Sequence, residues 1–597
     1  MRTPQLLVCN LIALAANALL NAAVPAATLA PTDAAAHGRV TATGARYIVQ
    51  ASTPNAADRD VARVGAKSEQ HLAIINAVSA YLNPWQVARL RETAGVHVFE
   101  DRSLKTDGLL SLLSPVTSPV VMTTSSLQTP QDGQGMLLPS LLYQTNYPML
   151  VGADTLQQAG VTGKGVTIAV LDSGLWQDPI QNYGRRLLAN IDVLNGGTGP
   201  VRADPYGHGT HVTSIAAGGA MNLAGSYLSI APQSNLVVVR AFDGTGAGRY
   251  ADVIAGLNWI VANRTKYKIR VLNLSFGAAP ESYYWDDPLN QAVMAAWRAG
   301  IVVVAAAGNE GPTAMTIDVP GNVPYVITTG ALTDNNTPYN LSDDRLASFS
   351  STGPTYEGFV KPELVSPGGH IVASMSSNSY LANIDPGSML LTEQMFTMSG
   401  TSMAAAVTTG VVALMLQSDP TLTPDGVKCR LLASSRPAVT ASKTLAYSVF
   451  QQGAGLINAV SAVNSSATGC ANLGLDINAD LAGTAHFGGP ANRDASGNYY
   501  IMNMTGSTWG APQPGDGYTW SQGYAWNQGY NWSAGYLWSQ GYTWNKGYTW
   551  NKGYTWNKGY TWNKGYTWNK SVPWWNSTGS TAVSTTPASI ENWVPNQ

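Results

Sequence analysis

Hydrophobic residues fall along this chain in two regimes that call for different structures. Between about residues 145 and 465, short β-branched runs recur at Val166–Leu171, Leu236–Val239, Val271–Leu274, Ile301–Val304 and Tyr325–Thr328. Runs without polar alternation suit strands buried on both faces, as in a parallel sheet covered by helices. The intervening Gly209–Ala217, Ala251–Val261 and Leu289–Arg298 read as those helices. The pattern predicts a doubly wound α/β fold with a mostly parallel sheet, whose active sites collect at the carboxyl ends of the strands.

The flanking segments read differently. Residues 47–102 form a small α+β unit: Tyr47-Ile-Val-Gln predicts a strand, 68–80 an amphipathic helix, and Asn83-Pro-Trp-Gln-Val-Ala-Arg-Leu a helix with Pro84 in its first turn. Val96-His-Val-Phe-Glu-Asp closes the unit as a strand. Residues 103–144 are rich in Ser, Thr, Pro and Gly, as an exposed, cleavable linker would be. Residues 471–515 predict a small β extension. Residues 517–570 then repeat Gly-Tyr-x-Trp-x-x nine times, and a polar tail runs over 571–597.

Composition adds two facts. Only 11% of residues are charged, and 33 Lys+Arg against 35 Asp+Glu leave no basic face for a nucleic acid. Nine of the 18 Trp lie in the repeat, so the aromatic content is local. Alternation places Tyr, Trp and Lys or Gln on one face of each hexad. Such a strip suits polysaccharide or cell-surface binding, or equally a low-complexity spacer.

Met1 and Arg2 precede an apolar stretch, Leu6 to Leu20, and Ala-rich cleavage options follow from Asn21. Residues 1–30 therefore read as a secretory signal, while Asn10, Asn17 and the short length speak against a membrane anchor. Export places the chain outside the cell, in the periplasm or at the cell surface. It also leaves Cys429 and Cys470, which pair or stand as two separate thiols; spacing does not decide.

Three motifs end predicted strands or open predicted helices: Thr167-Ile-Ala-Val-Leu-Asp-Ser-Gly, Gly207-His-Gly-Thr-His-Val and Met398-Ser-Gly-Thr-Ser-Met-Ala. They offer Asp172, His208 and Ser402: a carboxylate to fix a tautomer, a base, and a nucleophile. Singly, Asp172 would pass for a turn residue and Ser402 for a helix cap. Their order along the chain is the subtilisin order, and residues 145–465 resemble the catalytic domain of a subtilase, a subtilisin-like serine endopeptidase. Ala305-Ala-Ala-Gly-Asn-Glu-Gly resembles the family's oxyanion segment, and Leu274-Ser-Phe-Gly the edge that pairs with substrate backbone. Ala347-Ser-Phe-Ser-Ser-Thr-Gly-Pro, Lys361-Pro-Glu-Leu-Val-Ser-Pro-Gly and Gly453-Ala-Gly-Leu-Ile-Asn-Ala match further landmarks.

The resemblance implies a secreted serine endopeptidase with a subtilisin-like fold, made as a self-processed zymogen. Residues 37–102 would be its inhibitory propeptide, cleaved between about 102 and 145. Asp172, His208 and Ser402 would form the triad, with the Asn309 amide and the Ser402 backbone N–H as the oxyanion hole. Leu274, Ser275, Phe276, Gly277, Ala305, Ala306 and Gly308 would line the polypeptide substrate; these positions carry no charge, so apolar or aromatic residues are expected before the scissile bond. His211 is expected to pack structurally. The chemistry needs no metal or cofactor; structural calcium is common among such enzymes, but no acidic loop assigns one here. Ala406 stands where the family has proline. The competing reading is a surface- or polysaccharide-binding protein whose protease domain is inactive or only matures the tail.

Overall fold

The structure is a computed structural model that describes residues 44–106, 147–194, 203–222, 224–335, 343–390, 394–440, 445–493, 499–501 and 590–593. The expected signal segment 1–30, most of the expected linker over 103–144 and the aromatic repeats of 517–570 lie outside the described residues.

Strands β1 (Ala45–Gln50), β2 (Ser68–Leu72), β3 (Ala77–Leu82) and β4 (His97–Glu100) form an antiparallel sheet in the order β2-β3-β1-β4. Helices Pro54–Arg63 and Pro84–Arg91 accompany it, the second opened by a capping box between Asn83 and Gln86. The helix expected over 68–80 is not present. Instead β2 and β3 flank a one-turn 3₁₀ segment, Ala73–Ile75, which stops where Asn76 adopts φ 56°. The physical reason is burial on two sides. Val78, Ala80 and Leu82 join this unit's own core, while Leu72, Ile75 and Ala77 join the main core, so the apolar residues serve two opposing surfaces. A single helical stripe cannot do that.

The main sheet is built from β6 (Thr167–Asp172), β7 (Leu187–Asp192), β8 (Asn235–Arg240), β10 (Ile269–Leu274), β12 (Val302–Ala306), β13 (Ile327–Thr333), β14 (Arg345–Leu346) and β15 (Leu364–Pro367). Its order is β14-β13-β12-β10-β6-β8-β7, with β15 also pairing β13; every pair is parallel except β13–β14. This is the doubly wound α/β layout expected from the apolar runs. Helices His208–Ala217, Tyr250–Tyr267, Pro288–Arg298 and Thr401–Ser418 cover the sheet. Thr401–Ser418 is long and apolar enough to cross a membrane, but it lies inside the core, 89% buried, against β10, β12 and β13.

Three short strands form a separate sheet in the order β11 (Phe276–Gly277), β5 (Ser103–Thr106), β9 (Ala247–Arg249). Residues 103–106, expected in an exposed linker, are therefore held as a central strand. Beyond the main sheet, Cys429 and Cys470 form a disulfide. Residues 471–501 hold a short helix, Ile477–Leu481, and a two-stranded pair, Ala491–Arg493 with Tyr499–Ile501. Ile590–Trp593 pairs antiparallel with Ala438–Thr440.

Candidate active site

Asp172 is the last residue of β6, and every residue of that strand is buried. Its Oδ1 accepts the Ser173 backbone N–H at 2.7 Å and lies 2.8 Å from Nδ1 of His208, with both side chains fully buried. His208 is the first residue of its helix. Gly207 precedes it at φ 105°, and a Cβ on Gly209 would stand 2.4 Å from the Gly174 carbonyl. Glycine at 209 is thus what lets the helix close onto the end of β6.

The same turn is tied by a residue that the motif reading missed. Asp204 accepts the Gly207 N–H through Oδ1 and both the N–H and the hydroxyl of Thr210 through Oδ2, each at 2.8 Å. This satisfies otherwise orphaned donors at the helix start. An acidic residue three positions before a Gly-His-Gly-Thr turn was the available signal.

His211, one turn further, is placed apart from this pair. Its Nε2 meets the Phe396 carbonyl at 3.0 Å, and burial pushes its pKa down to about 3. It is a neutral packing residue.

Ser402 is the second residue of the Thr401–Ser418 helix and is fully buried. Its hydroxyl donates to the Ser275 carbonyl at 3.2 Å, and no hydrogen bond links it to His208, whose Nε2 is buried with no partner. Ser275 in turn donates its hydroxyl to the Ser402 carbonyl at 3.0 Å. The structure therefore joins Asp172 to His208, and Ser402 to the Leu274–Gly277 segment.

Asn309 is held by its carbonyl end: Oδ1 accepts the Thr401 N–H at 3.0 Å and the Thr401 hydroxyl at 3.2 Å. The amide nitrogen is consequently the end turned away from Thr401. Ala305 and Ala306 close β12, and Gly308 lies beside Thr401 through a 3.2 Å hydrogen bond from its N–H. The gap between the Ser275 segment and the Ala305–Gly308 segment is bridged at its far end, where Ala278 and Val319 exchange two backbone hydrogen bonds and the Asp318 N–H donates to Ala307.

Two carboxylates lie beside these segments. The space that a Cβ on Gly308 would fill has Asp318 Oδ2 at 2.7 Å and Glu310 Oε2 at 2.9 Å. Glu310 is also tied to the Asn309 N–H and the Ser351 hydroxyl. Asp318 lies seven residues beyond the Ala305–Gly311 segment in sequence, so only the fold brings it beside Gly308.

The Phe276–Gly277 edge of this candidate site is paired by the chain itself. Strand β5 pairs antiparallel with β11 through Thr106↔Phe276 and Lys105↔Gly277, and with β9 through Lys105↔Ala247, Leu104↔Gly248 and Ser103↔Arg249. Leu104 is 1% exposed and joins the main core. The N-terminal unit is fastened alongside. Arg46 bridges Asp101 at 2.6 Å and Asp252 at 2.7 Å, and the Asp101 carboxylate accepts the Ala251 N–H at the start of the Tyr250–Tyr267 helix. Among the described residues, no group of three or more His, Cys, Asp or Glu is placed to hold a metal ion.

Known proteins agree with this architecture. Residues 163–455 match the subtilase family. The serine protease AprX of Bacillus subtilis (strain 168) is 42% identical over 273 residues, which are 45% of this chain and 60% of that protein. Subtilisin DY of Bacillus licheniformis is 30% identical over 315 residues, 52% of this chain and 96% of that protein. Among solved structures, fervidolysin from Fervidobacterium pennivorans, described as a keratinolytic enzyme related to subtilisin, superposes with a TM-score of 0.54 at 20% identity. That match covers 77% of this chain and 67% of fervidolysin, and it speaks to the fold alone. Sheet order, the segments gathered in the cleft and near-complete alignment with a subtilisin lead to one assignment: the chain belongs to the subtilase family of subtilisin-like serine endopeptidases.

Proposed function

We propose that the chain is a secreted serine endopeptidase, made as a zymogen that processes itself, with Asp172, His208 and Ser402 as its catalytic triad. The observation that carries this reading is the peptide already in the cleft: Ser103–Thr106 lies as a strand between Ala247–Arg249 and Phe276–Gly277. An added strand is how an extended polypeptide is recognised by backbone hydrogen bonds, with pockets reading alternate side chains. Thr106 pairs with Phe276, next to the Ser275 whose carbonyl receives the Ser402 hydroxyl. A polypeptide in this groove is thus led toward Ser402.

The chemistry follows from the groups gathered there. His208 takes the proton as Ser402 Oγ attacks the peptide carbonyl, and Asp172, hydrogen-bonded to Nδ1, stabilises the imidazolium. The proton passes to the leaving amine, and water then releases the acyl group from Ser402. The Ser402 N–H lies in the first turn of a helix, where backbone donors lack intrahelical partners and the dipole favours negative charge. With the amide nitrogen of Asn309 it forms the oxyanion hole. Removing such an amide costs about 10²–10³ in turnover, a magnitude carried over from a subtilisin.

The N-terminal unit is the inhibitory propeptide, and the first bond cleaved follows Thr106 within a few residues. Export is supported by the leader pattern and by the Cys429–Cys470 bridge, which suits an oxidising compartment. The test is covalent labelling with an organophosphonate serine probe, Ser402→Ala as control, together with N-terminal sequencing of the mature form. The expected result is Ser402-dependent labelling and a new terminus shortly after residue 106. A mature form with no Ser402-dependent labelling would overturn the reading.

A further inference from the structure

Far from the triad in sequence, two lysines are buried in an environment made almost wholly of oxygen. Lys428, on the Pro424–Ser434 helix, is fully buried. Its Nζ lies 2.7 Å from the Pro324 carbonyl, 3.1 Å from Tyr325, 3.0 Å from Val326, 3.1 Å from Asn472 Oδ1 and 2.9 Å from Glu363 Oε1. Lys361, also fully buried, places its Nζ 3.1 Å from the Val326 carbonyl, 2.9 Å from Thr328 Oγ1 and 2.7 Å from Glu363 Oε1.

Three features mark the Lys428 pocket as more than an ion pair. An ammonium carries three N–H bonds, yet five oxygens stand around this one, so the shell is that of a spherical cation and exceeds what three directed donors can satisfy. Three consecutive carbonyls, 324 to 326, converge on one point, and their mutual repulsion needs a central positive charge. Finally, one carboxylate, Glu363, contacts both ammonium groups, Asp425 acts on Lys428 only at longer range, and the neutral oxygens carry part of the compensation. Burial accordingly presses both lysines below their ordinary pKa, Lys361 to about 7.

We propose that these oxygens form a monovalent-cation site that the chain fills with its own Lys428 ammonium, so that this part of the enzyme holds together without a bound ion. The size supports a monovalent occupant: Ca²⁺ takes oxygens at about 2.3–2.6 Å and Mg²⁺ at about 2.0–2.1 Å, both shorter than the 2.7–3.1 Å found here. The position gives the site a purpose. Residues 324–326 lead into β13, which pairs with β12, the strand ending in Ala305 and Ala306 at the cleft. Asn472 is two residues from Cys470, so the disulfide that fastens Cys470 to the Pro424–Ser434 helix also brings the fifth oxygen to Lys428.

Replacing Lys428 with methionine keeps the apolar stem and removes the ammonium, which leaves the oxygens open to a free cation. The experiment uses the full chain in a Ser402→Ala background to prevent autolysis. Thermal unfolding is followed in equal concentrations of potassium, ammonium and choline chloride, with calcium chloride as a fourth arm. The background protein should melt at the same temperature in the three monovalent salts. Lys428→Met should melt lower in choline and recover several degrees, saturably, in potassium or ammonium. Equal midpoints for Lys428→Met in all four salts would overturn the proposal, and recovery in calcium alone would overturn the monovalent assignment. Should the variant not accumulate in folded form, its refolding yield from denaturant is compared across the same salts: potassium- or ammonium-dependent recovery supports the site, and equal failure in all refutes it. The readout is stability, so the result is independent of whether Ser402 is the nucleophile.

Discussion

The disulfide offers the most direct test of how the C-terminal part of the enzyme is held. Cys429 is fully buried on the Pro424–Ser434 helix, and the bridge to Cys470 spans 41 positions of sequence. In the chain-entropy account, closing a loop of that size removes enough freedom from the unfolded chain to stabilise the fold by about 4 kcal/mol. In a domain of several hundred residues each kcal/mol moves the melting temperature by about 1–2 °C, so losing the bridge should lower it by about 4–8 °C. The structure adds a second contribution, because Asn472 reaches both Lys428 and Asp425 from the segment that Cys470 anchors. The assay is thermal and guanidinium unfolding of the Ser402→Ala protein with and without reductant, beside Cys429→Ala/Cys470→Ala. The reductant arm separates the cross-link from the small cavity left at Cys429. A melting temperature that reductant and double replacement both leave within about 1 °C would refute the reasoning.

Three further outcomes are expected. Leu104→Asp places a charge where a buried leucine now anchors the cleft-bound strand, a burial that contributes about 2–3 kcal/mol; the lag before protease activity appears should shorten at least about tenfold, and an unchanged lag would count against β5 as the inhibitory segment. His211 is depressed to about 3 in the fold but titrates near 6.5 when unfolded, so the unfolded chain binds the extra proton between these values and stability falls as pH drops. The loss is on the order of 2 kcal/mol from pH 7 to pH 5, and His211→Gln should flatten that part of the pH–stability curve measured by denaturant unfolding. Asp318 and Glu310 put carboxylates against Gly308, so Asp318→Asn should lower the ratio of cleavage after basic to cleavage after apolar residues by about tenfold in matched peptide substrates. An unchanged ratio would show that these carboxylates do not face the substrate.

Much of the enzyme was legible because its signals are local. Buried parallel strands announce themselves as apolar runs, and five of them came within a few residues of β6, β8, β10, β12 and β13. Asp172 ends a strand, and His208 and Ser402 open helices, since glycine-bracketed turns at such ends are written in adjacent residues. The failures came where a segment serves two surfaces. The 68–80 stretch carries apolar residues for its own small core and for the main domain, and that double duty mimicked a helical stripe. Residues 103–106 looked like linker because their partners, 247–249 and 276–277, lie more than a hundred residues away.

Sequence alone determined the fold class, the order of the candidate triad and the family, because each rests on short-range patterns of polarity and glycine. It left the two cysteines undecided, gave no sign that Lys428 and Lys361 share Glu363, and did not show that Asp318 comes to lie beside Gly308. Those matters depend on which distant groups meet once the sheet has closed. In a low-dielectric interior, the meeting of charge, dipole and carbonyl sets the energies that a linear pattern cannot encode. Tertiary structure alone decided that residues 103–106 pair as a strand between 247–249 and 276–277, and that an ammonium stands among converging carbonyl and carboxylate oxygens.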